Sequence, residues 1–83
     1  MKAEIYGRQT CTYCNAAKDF LNVHGIKFDY YDIEKDPDQK AKMFERAPVG
    51  IKTVPQIFLD GEYVGGYSDL REKLNNEVLG VPI

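Results

Sequence analysis

The sequence predicts a single α/β domain of four strands and three helices, in the order β-α-β-α-β-β-α. Three observations carry this. Apolar residues alternate from the first residues, helical stripes separate the early strands, and an Asp-Gly pair joins two extended runs late in the chain. With 83 residues there is length for one domain, spanning 1–83. The early β-α-β unit implies parallel pairing with a right-handed crossover, and the later hairpin adds antiparallel strands.

Lys2 to Gly7 reads as the first strand, with Ala3 and Ile5 set against Glu4. Thr10 is the expected N-cap of a helix whose apolar stripe is Cys14, Ala17, Phe20 and Leu21, and Gly25 stops it. Ile26 to Ile33 is the second strand. Asp36-Pro37-Asp38-Gln39 starts the second helix, with Asp36 as cap, Pro37 in the first turn and Gln39 closing a capping box. That helix runs to about Arg46, before Ala47-Pro48-Val49-Gly50 breaks the pattern. Val54 to Leu59 is the third strand, Asp60-Gly61 the turn, and Glu62 to Val64 the returning strand. After Gly65-Gly66, Asp69 with Glu72 caps a last helix bearing Leu70, Leu74 and Val78, which Gly80 and Pro82 end.

Composition narrows the function classes. The net charge of −2 gives no whole-surface attraction to nucleic acid or to an anionic membrane, so any anion recognition is local. No apolar run approaches the ~20 residues that span a bilayer, and the first residues lack a signal-peptide hydrophobic stretch. The expected location is therefore cytoplasmic. There, a pair of cysteines points to redox chemistry or metal binding rather than to a structural disulfide.

Cys11-Thr12-Tyr13-Cys14 falls where the first strand ends and the first helix begins. Unpaired N–H groups and the helix dipole at that place favour a thiolate at Cys11, and Arg8 adds a nearby cation. Cys14, one turn further on the apolar stripe, is expected to be less exposed and able to form or resolve a disulfide with Cys11. Zinc requires four ligands; one cysteine pair and the lone His24 do not supply them, and no metal ligand is assigned. Inert core cysteines are the plainer alternative, and the β-α-β context argues against it.

Two further segments stand out. In Thr53-Val54-Pro55 the proline cannot donate to a ladder, and it holds Val54 extended. Val54 could then pair with a peptide-like ligand through its backbone; an ordinary edge-strand proline is the alternative. In Gly65-Gly66-Tyr67-Ser68-Asp69 the backbone is open to close approach, and Ser68 and Asp69 lie at a helix N-terminus suited to a carboxylate. The Asp69 side chain could accept from an ammonium, so together they suit an α-amino-acid head. A plain helix cap is the alternative.

Cys11-Thr12-Tyr13-Cys14, Thr53-Val54-Pro55 and Gly65-Gly66-Tyr67-Ser68-Asp69, in this order and spacing, resemble the glutaredoxin family, above all its short bacterial and phage dithiol members. The resemblance covers essentially the whole chain. It implies a thioredoxin-like fold, with a four-stranded mixed sheet flanked by three helices and a cis Pro55. It implies glutathione-dependent reduction of protein disulfides and of glutathione mixed disulfides. Cys11 and Cys14 would be the catalytic pair, and Val54 would pair with the cysteinyl part of glutathione. Ser68 and Asp69 would hold its γ-glutamyl head, with Arg8, Tyr13, Thr53, Pro55 and Lys52 about the site. The implied protein is a monomer whose partners are glutathione and disulfide-containing proteins, ribonucleotide reductase among them. Thr12 departs from the family's usual Cys-Pro-Tyr-Cys, and in related members a small hydroxyl residue there goes with a glutathione-ligated [2Fe–2S] cluster between two subunits. A thioredoxin-like donor recharged by a flavoprotein reductase is the rival enzyme. Against it stand the lack of Trp beside the cysteines and the Gly-Gly-Tyr-Ser-Asp segment.

Overall fold

The computed structural model describes residues 1–51 and 53–77. Four strands, β1 (Lys2–Gly7), β2 (Lys27–Asp32), β3 (Gln56–Leu59) and β4 (Glu62–Gly65), form one sheet in the order β2-β1-β3-β4. β1 and β2 are parallel, whereas β1–β3 and β3–β4 are antiparallel. The helices are α1 (Thr12–Val23), α2 (Pro37–Arg46) and α3 (Tyr67–Glu77). Element order and mixed pairing are as the sequence predicts. Lys52, Val78, Gly80 and Pro82, to which the sequence reading gave roles, lie outside the described residues.

Strand alternation sorts side chains to two faces. Ala3 and Ile5 of β1 join Ile57 and Leu59 of β3 in the main core, where Ala17 and Leu21 of α1 meet Leu70 and Leu74 of α3. The other face carries Tyr6 and Phe58, covered by Met43 of α2. Glu4 also belongs to that face, and α2 supplies its partner. Both terminal nitrogens of Arg46 donate to the Glu4 carboxylate at 3.0 Å, one of them also donates to the Tyr6 hydroxyl at 2.9 Å, and the guanidinium lies 3.9 Å from the Phe58 ring centroid. This clamp fixes α2 against β1 and β3.

Element ends differ from expectation in four places, each with a local cause. The N-cap of α1 is Cys11 rather than Thr10, because the cysteine sulfur accepts the Cys14 N–H. Asp36 caps α2, but Gln39 does not close the box: the Asp36 N–H it would accept already donates to the Asp32 carbonyl at 3.0 Å. β3 begins at Gln56, leaving Val54 and Pro55 outside the ladder. α3 begins at Tyr67, so Asp69 sits inside the first turn and its carboxylate reaches back to accept the Gly66 N–H at 3.0 Å. Asp69 thus supplies the side-chain half of a capping box rather than the cap itself.

At the hairpin tip, Asp60 and Gly61 both adopt positive φ, as the predicted two-residue turn requires. Asp60 ties that tip to β1 by accepting from the Lys2 N–H and donating its own N–H to the Lys2 carbonyl.

Candidate thiol site at the start of the first helix

The C-terminal end of β1 delivers the chain to the N-terminus of α1 in four residues, and Cys11 occupies the capping position. Its extended backbone (φ −97°, ψ 114°) turns the sulfur back over the first turn, where Sγ accepts the Cys14 N–H at 3.1 Å. A hydroxyl or carboxylate normally fills this role, and a thiolate fills it with a full negative charge. The Cys11 thiol also lies 3.8 Å from the Val54 carbonyl, which joins the two sequence segments across 43 positions. The Val54–Pro55 peptide bond is cis, as the resemblance implies.

The two cysteines sit in different surroundings. Cys11 is 8% exposed at the surface end, while Cys14 is wholly buried. Burial pushes the Cys14 thiol above its ordinary range and the neighbouring Cys11 sulfur adds to this; the Arg8 backbone and the Tyr30 hydroxyl oppose it only in part. At neutral pH Cys14 therefore holds its proton. Both cysteines are free thiols.

Of the other residues singled out in the sequence, Tyr13, Thr53, Val54, Pro55, Ser68 and Asp69 line one groove of about 200 Å³, together with Gly66 and Tyr67. Arg8 is not among them. It lies exposed in an adjoining groove with Lys40 and Phe44, and the two grooves share Thr53 and Val54. A larger groove of about 510 Å³, lined by Lys2, Asn22, Lys27 and Asp29, lies at the far end of β1; neither groove has a cysteine in its lining, and it is the smaller one that Cys11 adjoins, through Val54.

Gly65, at φ 121°, allows the chain to pass close to Asp69, since a Cβ there would stand 2.5 Å from the carboxylate oxygen. Gly66 and the first residues of α3, Tyr67, Ser68 and Asp69, thereby line the groove. Such a terminus accepts a ligand carboxylate.

Sequence reasoning missed two supports. Gln56, 3% exposed, donates from Nε2 to the Thr53 carbonyl at 2.9 Å and to its Oγ1 at 3.3 Å, while Tyr63 donates to Gln56 Oε1 at 2.5 Å. This chain braces residues 53–55 from within the sheet, and a polar residue in an apolar strand was its only signal. The second is Gly7, where a Cβ would stand 2.7 Å from Cys14 Sγ and 2.6 Å from the Tyr30 hydroxyl oxygen. Its place at the end of a strand pattern carried no signal.

Among the described residues no three His, Cys, Asp or Glu side chains converge as a metal site. A [2Fe–2S] cluster takes four sulfur or nitrogen ligands. The chain has two cysteines, one of them fully buried, so a single copy does not fit such a cluster. Among the described residues, no helix is long and apolar enough to cross a membrane.

Comparison with known proteins agrees with this geometry. The glutaredoxin family profile matches residues 3–64. Glutaredoxin 3 of Escherichia coli K12 is 40% identical over 67 residues, covering 81% of this chain and 78% of that protein. Glutaredoxin 1 of the same strain is 35% identical over 74 residues, covering 83% and 87%. The solution structure of reduced Escherichia coli glutaredoxin superposes with a TM-score of 0.79 at 32% identity, covering 94% of this chain and 98% of that one. With its Cys11–Cys14 pair seated at the start of α1, the chain belongs to the glutaredoxin family of glutathione-dependent thiol–disulfide oxidoreductases.

Proposed function

We propose that Cys11 is the nucleophile of this oxidoreductase, that Cys14 is its resolving thiol, and that glutathione binds the groove between Tyr13, Val54 and Asp69. One observation carries the reading: Cys11 Sγ caps α1, accepts the Cys14 N–H at 3.1 Å and faces Val54, which lines that groove. With a glutathione mixed disulfide, the Cys11 thiolate attacks the glutathione sulfur and the substrate thiol leaves. A second glutathione then attacks the Cys11 adduct and releases glutathione disulfide. With a protein disulfide, Cys11 forms the mixed disulfide, and Cys14 attacks Cys11 to free the substrate.

Binding geometry supports the preference for glutathione. The Val54 backbone lies outside the β3 ladder, which supports its pairing with the cysteinyl part. The start of α3 suits the α-carboxylate of the γ-glutamyl head and the Asp69 carboxylate suits its ammonium, with Ser68 beside them. Thr53, Pro55 and Tyr13 complete the wall, and Arg8 supplies a cation from the adjoining groove. Holding the head group lines up one sulfur for attack. The protein works as a cytoplasmic monomer, and disulfide-bearing proteins such as ribonucleotide reductase are its substrates.

The test is steady-state reduction of a small glutathione mixed disulfide, with glutathione or thioredoxin reductase as the electron source. Turnover with glutathione and none with the reductase is expected. The reverse would make the chain a thioredoxin-like donor.

A further inference from the structure

Cys14 is wholly buried, and its raised proton affinity leaves a problem within the reaction. When the oxidised enzyme is reduced, a glutathione thiolate attacks Cys11 Sγ. The Cys11–Cys14 bond breaks, and its electron pair leaves on Cys14 as a thiolate that water does not reach. The Cys14 N–H points at Cys11 and gives that sulfur no help, and the Arg8 backbone eases its charge only in part. A buried anion of this kind needs a donor.

Tyr30 of β2 stands at the right place. Its hydroxyl oxygen and Cys14 Sγ lie within 2.6 and 2.7 Å of one common point, the position a Cβ on Gly7 would take. Gly7 therefore keeps open the gap across which the hydroxyl faces the sulfur. In the dithiol state the hydroxyl donates to the Arg8 carbonyl at 2.8 Å. That carbonyl also accepts the Cys11 N–H at 3.4 Å, so it keeps a partner when Tyr30 turns away. Lys18, one turn beyond Cys14 on α1, holds its ammonium 4.2 Å from the Tyr30 ring centroid, a cation–π contact that keeps the ring against this part of α1.

From this juxtaposition we infer that Tyr30 is a further catalytic residue acting on the resolving thiol, its hydroxyl turning from the Arg8 carbonyl to Cys14 as that sulfur takes up negative charge. The inference rests on Cys14 being the resolving thiol. Glutathione supplies the electrons, the thiolate that leaves on Cys14 equals the thiolate consumed, and Tyr30 keeps its proton throughout.

The experiment compares two rates in Tyr30→Phe and its parent. The first is reduction of the preformed Cys11–Cys14 disulfide by glutathione, followed by acid quench and mass. The second is reduction of a Cys11–glutathione mixed disulfide in the Cys14→Ser background, where the incoming glutathione attacks the glutathione sulfur and Cys11 is the thiolate that leaves. The first should fall about tenfold, the size of a hydrogen bond to a partly developed charge, and the second should not change. An equal fall in both would make Tyr30 only a brace for the Arg8 loop and overturn the inference, as would no fall in either. The underlying reading fails separately: Cys14→Ser alone would then reduce protein disulfides as fast as the parent.

Discussion

Gly7→Ala is the substitution that tests most sharply how the fold shapes the thiol site. An ordinary Cβ contact begins at about 3.4–4 Å, yet here the new carbon would stand 2.6 Å from the Tyr30 hydroxyl oxygen, 2.7 Å from Cys14 Sγ and 3.2 Å from Cys14 Cβ. Neither neighbour can yield easily. Tyr30 is held by the Arg8 carbonyl and lies under Lys18, and Cys14 sits in the first turn of α1 with no exposed surface. Both must move by about 0.7 Å or more to restore contact. Overpacking of this kind costs about 1–3 kcal/mol, and in a domain of this size each kcal/mol lowers Tm by about 4–8 °C. Thermal unfolding followed by circular dichroism in excess reductant should therefore show a fall on the order of 10 °C. Gly66→Ala is the comparison, since its Cβ would meet nothing closer than 3.9 Å, and it should lose far less. A Tm for Gly7→Ala equal to that of the parent would refute the claim that Gly7 keeps Cys14 and Tyr30 in place.

Other perturbations follow from the same geometry. Asp69→Ala removes the carboxylate that accepts the Gly66 N–H and faces the groove, so it should cost about 0.5–2 kcal/mol of stability and raise the KM for glutathione; an unchanged KM leaves Asp69 as a helix-start residue alone. Cys14 holds its proton more tightly folded than unfolded, so its contribution is complete below pH 9 and is lost as pH rises past it, where the unfolded thiol ionises first. Tyr30, Tyr31 and Tyr63, all raised chiefly by burial, act in the same direction at higher pH. The urea midpoint should thus fall more steeply between pH 9 and about 11 in the parent than in Cys14→Ala, and equal slopes would contradict the burial effect. Anaerobic reconstitution with iron and sulfide but no glutathione should leave the protein colourless, because one copy offers a single thiol near the surface. Colour and a dimer mass that appear only with glutathione, and vanish in Thr12→Pro, would establish the cluster reading instead.

Local pattern made most of the fold legible. The alternation of Lys2–Gly7, the Asp60-Gly61 turn and the Asp36-Pro37 helix start each lie within a few residues, and each matches the structure closely. The thiol pair was legible for the same reason: Cys11 and Cys14 span one helical turn at a strand-to-helix junction. Errors arose where two residues compete for one local role. Cys11 displaces Thr10 as cap because its sulfur is the atom that reaches the Cys14 N–H, and Gly66 takes the cap position that Asp69 then supports from inside the turn. What sequence could not display are pairings across the sheet. Arg46 meets Glu4 over 42 positions, Tyr30 reaches the Arg8 carbonyl over 22, and Gln56 is locked by Tyr63 from the next strand. Residue type and period are silent about such partners, and these are the contacts that set α2, the buried thiol and the Val54 segment.

The division of labour between the two cysteines is tested most directly by paired activity measurements on Cys11→Ser and Cys14→Ser, using a glutathione mixed disulfide and a protein disulfide as substrates. Cys11→Ser should lose both activities. Cys14→Ser should keep reduction of the mixed disulfide, because a second glutathione replaces the resolving thiol, and lose most reduction of the protein disulfide. Equal loss of both activities in Cys14→Ser, or substantial activity of any kind in Cys11→Ser, would contradict the account.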